Sequence, residues 1–469
     1  MAEAPGGRVV FDLTSAARWS GPPVGIVRAH RELAAWASAH LSDVAFAIFD
    51  PRDMRFHHIT RSDADAFIAG AATLNLWNMP DATGARARRS AWLPSWLYAL
   101  LQGRRTWLRL WERVRLAARW PWLARLADVL QRPVITHRYA SSMLNADGAR
   151  RPFPTPDMVL GEAVAFTPTD TLVATGFGWN HTNIAAISDA KRADGFRFVV
   201  LCYDLIPLLL PHYFEPRGHA QMQRYWDQAL AIADVVVANA EAVGRDIAAY
   251  AKDVGVAVRA VHVAPLGADP PLAEAPTRPL PAGLQAGRYA LFVSTIEPRK
   301  GHELLYRVWR RLLAAGVPQG RGFQLVFVGR PGWMMETFDQ TLAADAEVAA
   351  SLKRLERVDD AVLDQLYRQS AFCLYPSAYE GYGLPVIEAF ARGKAVLASD
   401  GGALAEVAGP FSPVLGVGDE DAWFAAMKQW IEDPAVSAPY EQGIRERFQL
   451  ITWAEAARRF FEAAGVSMV

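Results

Sequence analysis

Cysteine is nearly missing from this sequence: 469 residues include two, Cys202 and Cys373, each at the end of an apolar run. Two thiols supply neither a disulfide framework nor a structural zinc site. They read as small buried hydrophobes in a chain suited to a reducing compartment. Net charge is missing as well. The 49 basic residues balance 49 acidic ones, leaving no global field to draw in nucleic acid. No apolar run is long enough to span a bilayer, and the opening MAEAPGG has no basic stretch followed by an apolar one. A cytoplasmic chain without a signal peptide is the expectation. No internal repeat is evident. What remains is a chain 52% apolar and 21% charged, a globular composition, and too long for one core to keep growing.

Two series of short apolar, β-branched runs alternate with segments of helical period. The first series is RVVFDLT (8–14), DVAFAIF (43–49), DTLVATG (170–176), FRFVVLCYD (196–204) and DVVVANA (234–240). The second is YALFVST (289–295), FQLVFVG (323–329), FCLYPS (372–377) and AVLASD (395–400). Near-continuous apolar strands spaced by helices predict parallel sheets covered on both faces, hence an α/β fold of two doubly wound, Rossmann-like lobes. Residues 265–287, rich in Pro, Gly and Ala without periodicity, read as the connection. The expected division is a first lobe in 1–270, a linker in 271–287, a second lobe in 288–450 and a closing helix in 451–469.

One stretch departs from this pattern. Residues 86–132 hold eleven arginines, two acids (Glu112 and Asp128) and six of the sixteen tryptophans. Two readings stay open: a helical insertion whose tryptophans pack on the lobe, or a helix pair lying peripherally on an anionic membrane.

Chemistry concentrates where strands meet helices in the second series. In Pro376-Ser377-Ala378-Tyr379-Glu380-Gly381-Tyr382-Gly383-Leu384-Pro385-Val386-Ile387-Glu388, a strand ends in a glycine-bearing turn. A helix is expected to start at Pro385, because proline loses nothing at a first helical position. The N–H groups around Gly383 and Leu384 then sit at the positive end of the helix dipole, a pocket fit for a diphosphate. Glu380 in the turn and Glu388 one helical turn in can face one crevice as hydroxyl acceptors. A second strand-to-helix turn, Ser294-Thr295-Ile296-Glu297-Pro298-Arg299-Lys300-Gly301-His302, offers two cations to an anionic leaving group. His302 reads as a helix-start residue.

Glu380 and Glu388, with seven residues between them inside PSAYEGYGLPVIEA, resemble the E-x7-E motif of family 4 retaining glycosyltransferases, and EPRKG resembles that family's phosphate loop. The resemblance implies the GT-B fold, two Rossmann-like lobes with a cleft between them. It also implies a nucleotide-sugar donor, with Glu380 on the donor sugar, Glu388 on the ribose, the Gly383–Leu384 amides and Lys300 on phosphate, and Arg299 beside them. Ser294 stands where some members carry a further arginine. LVFVGRPGW (325–333), with Gly329, resembles the nucleotide-side loop, and SDGGALAEVAG (399–409) a turn whose Gly401 and Gly402 approach the donor.

In the first lobe Thr14 to Arg28 reads strand, glycine-proline turn, helix, and Gly25-Ile26-Val27-Arg28 resembles a loop that closes on donor phosphates. Asp204, in CYDLIP, follows Tyr203, which stands where members carry histidine. Acceptor-side chemistry and turn capping both remain open for Asp204. Asn239 is expected to line the cleft or cap the next helix. No Asp-x-Asp run falls in a plausible site, so the expectation is transfer without a metal or other cofactor. The implied activity is retaining transfer of a hexose, mannose favoured, to a lipid-linked glycan or polysaccharide acceptor in bacterial surface-polysaccharide synthesis. A sugar-nucleotide epimerase and a non-catalytic glycan- or lipid-binding scaffold are the rival readings. No nucleic-acid partner is expected.

Overall fold

The computed structural model describes residues 7–19, 25–51, 53–74, 160–214, 216–271 and 278–468; the Arg/Trp-rich stretch 86–132 lies outside them. Two sheets organise the rest. The first holds β1 (Val9–Asp12), β2 (Val44–Asp50), β3 (Arg55–His58), β4 (Thr171–Ala174), β5 (Arg197–Cys202), β6 (Val235–Ala238) and β7 (Val261–Val263) in the order β3-β2-β1-β4-β5-β6-β7. All its pairs are parallel except β2 with β3. The second holds β8 (Tyr289–Val293), β9 (Gln324–Val328), β10 (Leu352–Leu355), β11 (Phe372–Tyr375), β12 (Val396–Ser399) and β13 (Val414–Leu415), in the order β10-β9-β8-β11-β12-β13 and parallel throughout. Both orders reverse direction once, between β1 and β4 and between β8 and β11. Ligands bind at such switch points, outside the carboxyl ends of the strands.

The central strands are apolar because helices cover both faces. Every residue of β1, β4, β6, β11 and β12 is buried. Each fully buried aliphatic or aromatic side chain is worth about 1.5–3 kcal/mol, so these short strands dominate the core energetics. The helix His302–Ala314 buries Leu304, Leu305, Val308 and Leu312 on one stripe against the second sheet. Cys202 and Cys373 are buried inside strands, as small hydrophobes would be.

The closing helix, Trp453–Ala463, crosses back to the first lobe. Its buried Trp453, Phe460 and Phe461 join the first core, and Arg197 on β5 donates to the carbonyls of Ala464 at 2.9 Å and Gly465 at 3.2 Å. Two boundaries differ from expectation. Thr14 opens a one-turn helix, Thr14–Arg18, instead of ending a strand, because its N–H and hydroxyl turn back onto Asp12 Oδ1. The second-lobe helix starts at Leu384, with Pro385 second in it. Gly383, at φ +104°, makes the turn, a conformation open to glycine and costly for other residues. No described helix is long and apolar enough to cross a membrane.

Candidate active site

The two loops singled out in the sequence leave neighbouring strands at the second switch point. Ser294–Gly301 follows β8 and Pro376–Gly383 follows β11, so their side chains must meet. Glu380 takes both cations: Oε1 accepts from Lys300 Nζ at 2.6 Å and from Ser377 Oγ at 2.7 Å, and Oε2 accepts from Arg299 Nη1 at 3.1 Å. Arg299 also donates to the Tyr379 carbonyl at 2.8 Å and pairs with Glu297, 2% exposed, at 2.8 Å. Burial acts to raise the Glu380 carboxyl, but Lys300 and Arg299 overcome it and bring it down to about 2. Burial, with Arg299 beside it, lowers the Lys300 ammonium despite Glu380. Glu380 is therefore a fixed carboxylate, an acceptor at any working pH.

Glu388 lies on the first turns of Leu384–Ala391. Its Oε2 accepts from the Tyr367 hydroxyl at 3.0 Å, and its Oε1 is 3.9 Å from Arg28 Nη1. Burial pushes its carboxyl up, against the Tyr367 bond and the Arg28 and Arg392 charges. Arg28 comes from the other lobe, pairs with Asp269 and sits 5.8 Å over the Trp453 ring. Gly25 begins the same helix, Gly25–His40, where an added Cβ would meet Leu384 Cδ1 at 3.6 Å. Gly25 thus lies against the side chain of Leu384, the first residue of the second-lobe helix. Gly329 ends β9 against Ser294, whose carbonyl oxygen a Cβ there would meet at 1.8 Å, and Ser294 Oγ donates to the Thr295 carbonyl at 2.8 Å.

The first lobe closes on this loop. Gly381 abuts Tyr203 and Asp204: an added Cβ would lie 2.2 Å from the Tyr203 carbonyl oxygen and 2.8 Å from Asp204 Cβ. Asp204 caps the turn after β5, accepting from the Ile206 N–H at 3.1 Å, and also stands in the field of the cation pair. Burial raises its carboxyl, Glu380 adds to that, and Arg299 opposes it. Tyr203 donates to the Thr175 carbonyl at 2.8 Å, a packing role. Further contacts cross between lobes: the Tyr379 hydroxyl with Asp246, Tyr382 Oη to the Leu266 carbonyl at 3.0 Å, and Trp333 Nε1 to the Tyr213 carbonyl at 2.9 Å.

Several expectations need correction. Gly401 and Gly402 pack tightly on the loop: Cβ atoms there would lie 2.4 Å from the Ala378 and Glu380 carbonyl oxygens respectively. Asn239 does not cap the helix Glu241–Asp253. Glu406 reaches over from the second lobe, accepting from the N–H groups of Glu241 at 2.9 Å and Ala242 at 3.0 Å. His302 does start its helix, its ring tilted against Phe292 with centroids 4.6 Å apart, and burial lowers its imidazole to about 3. Glu297, Ser377, Tyr367 and Glu406 were missed as contributors. The first two sit inside the motifs, whereas the last two act through the fold. Among the described residues, three groups able to share a metal ion occur at Asp50, Asp53 and His57 on the β2–β3 hairpin, apart from these acids.

Comparison with known proteins agrees with the geometry. Residues 284–447 match the family described as Glycosyl transferases group 1. The chain is 26% identical over 352 residues to the serotype-specific mannosyltransferase WbdA of Escherichia coli, covering 70% of this chain and 40% of WbdA. It is 32% identical over 145 residues to the O-antigen chain mannosyltransferase B of Escherichia coli, covering 31% and 37% of the two chains. The chain thus spans well under half the length of these relatives. Among solved structures, Anabaena HepE in complex with UDP and glucose superposes with a TM-score of 0.55 at 15% identity, over 98% of this chain and 99% of HepE. Over residues 284–447 the second lobe is thus similar to the glycosyl transferases group 1 family, set in a molecule of α/β class and GT-B fold.

Proposed function

We propose that the chain is a hexosyltransferase that moves a sugar, mannose favoured, from a nucleotide-sugar donor to a glycan or lipid-linked acceptor in bacterial surface-polysaccharide synthesis, with retention of anomeric configuration. The observation that carries the reading is the convergence of Lys300, Arg299 and Glu380 beside the helix start at Gly383–Leu384, at a sheet switch point and under a closed first lobe. Breaking a glycosyl–phosphate bond leaves negative charge on the departing diphosphate. Lys300, Arg299 and the first amides of Leu384–Ala391 stabilise it through preorganised donors. Glu380 and Glu388 accept hydroxyls of the sugar and ribose, respectively, and Asp204 faces the acceptor from the first lobe. The departing phosphate takes the acceptor hydroxyl's proton as that oxygen bonds to the anomeric carbon, which places attack and departure on the same side of the sugar.

The mannosyl preference is supported by the names of WbdA and the O-antigen chain mannosyltransferase B. A nucleotide-sugar donor is supported by HepE, solved with UDP and glucose. Closure of two lobes excludes water, which limits donor hydrolysis. The test is turnover of GDP-, UDP-, dTDP- and ADP-sugars with a mannose-terminated lipid-linked acceptor, product linkage being read by NMR. Transfer from one donor class with an α-to-α outcome is expected. Conversion of donor alone to an epimer, or no turnover of any donor, would overturn the reading.

A further inference from the structure

Beneath the helix Leu384–Ala391 lies a tyrosine that none of the proposed chemistry uses. Tyr367, on the helix Asp360–Gln369, is 1% exposed and points its hydroxyl at Glu388. Its surroundings leave it little freedom. The Arg392 guanidinium carbon stands 5.3 Å from the ring centre, and Arg392 is itself held by Asp364 at 2.8 Å and donates to the Glu388 carbonyl at 3.0 Å. Tyr375 Oη lies 3.3 Å away and donates to the Pro385 carbonyl at 3.1 Å. Burial above all keeps the Tyr367 phenol protonated, so it is a donor at any working pH. A buried carboxylate that accepts one fixed hydrogen bond loses rotamer freedom, and its other oxygen is aimed by the bond it has made. At Glu388 the held oxygen is Oε2, and Oε1 is the one turned toward Arg28 and the cleft.

We propose that Tyr367 is a positioning residue: by fixing Glu388 Oε2 it aims Oε1 at the ribose hydroxyls of the donor nucleotide and so sets discrimination for ribose. This rests on the reading that Glu388 holds the ribose. A tyrosine acting through Glu388 contributes only where ribose hydroxyls are present, whereas a tyrosine that merely fills the core contributes equally with any nucleotide.

The experiment is calorimetric titration of the full chain with GDP and UDP and with their 2′,3′-dideoxy forms, comparing wild type with Tyr367→Phe, Glu388→Ala and the double variant. Glu388→Ala is expected to abolish the preference for the ribose form. Tyr367→Phe is expected to cut that preference about 5- to 10-fold, to leave dideoxy affinity unchanged, and to add nothing in the Glu388→Ala background. Tyr375→Phe, which removes the neighbouring hydroxyl without touching Glu388, is expected to leave the preference intact. In steady state Tyr367→Phe raises the donor KM and leaves kcat within about twofold. A full preference retained by Glu388→Ala, or no binding of either nucleotide, would sink the ribose reading itself. Preference lost in Glu388→Ala but retained in Tyr367→Phe would leave that reading standing and overturn the positioning role. Should the phenylalanine variant not fold, Tyr367→Leu, which likewise carries no donor, takes its place with the same expected loss.

Discussion

Glu380 shows how a buried charge is made tolerable and useful at once. A lone carboxylate in this position would be protonated, since desolvation costs an ion several kcal/mol. Two cations and the Ser377 hydroxyl reverse that, and the group titrates near about 2. The sign of its linkage follows. A carboxyl lowered from the 4.5 of its unfolded form contributes stability that is present above pH 4.5 and lost as the pH falls toward 2. Wild type is therefore expected to exceed Glu380→Gln by on the order of 3 kcal/mol at pH 6. The gap should shrink to about half or less on acidification to pH 3, read from denaturant midpoints across that range. A gap that does not change with pH would mean that Glu380 is not ionised by its neighbours. The same residue shows the reach of the sequence. Spacing and turn chemistry placed Glu380 and both cations in adjoining loops and Glu388 on the helix that follows. That Glu380 would sit within the cation pair, with Glu297 as a second counter-charge, depended on side-chain directions that spacing does not encode.

At the scale of elements, legibility tracked burial. Nine strands were readable as apolar runs because helices cover both faces of each central strand. Among the described residues the four unread ones, β3 (RFHH), β7 (VHV), β10 (LKRL) and β13 (VL), are all sheet edges. Edge strands are kept short or charged to discourage pairing with other chains, which erases the hydrophobic signal. The loop after β11 could be read as an anion-binding turn, but its fit to the other lobe could not. Gly381 has no unusual φ to announce it; it is glycine because Tyr203 and Asp204 leave no room for a Cβ. Gly381→Ala is accordingly expected to prop the lobes apart without unfolding either. Catalytic turnover should fall about 10-fold or more, since sub-ångström misplacement is costly in catalysis, while the melting temperature stays within a few degrees. Wild-type turnover in this variant would show that the contact is not part of the working conformation.

Among the described residues the main cores of the two lobes are tied both by apolar packing, with Tyr382 and Ala403 of the second lobe joining the first core, and by polar contacts. Glu406 completes a first-lobe helix whose own Ala240 offers no cap, an interaction worth about 0.5–2 kcal/mol where caps have been measured. Tyr379 with Asp246 and Arg28 with Glu388 add to it across the cleft, and the closing helix fastens the end of the chain to the first core. Such contacts connect residues more than a hundred positions apart, which is why sequence spacing gave two lobes and a cleft but not the latch between them. Their polar share suits the proposal that the lobes open to admit a donor and close to shield it. The central claim is that a diphosphate occupies the ground between the cation pair and the helix start. The most direct measurement is a crystal structure of the chain with GDP or UDP bound. The account predicts phosphate oxygens about 2.7–3.2 Å from Lys300 Nζ and from the amides at Gly383–Leu384, with the ribose against Glu388. A diphosphate bound elsewhere, with Lys300 still facing only Glu380, would contradict it.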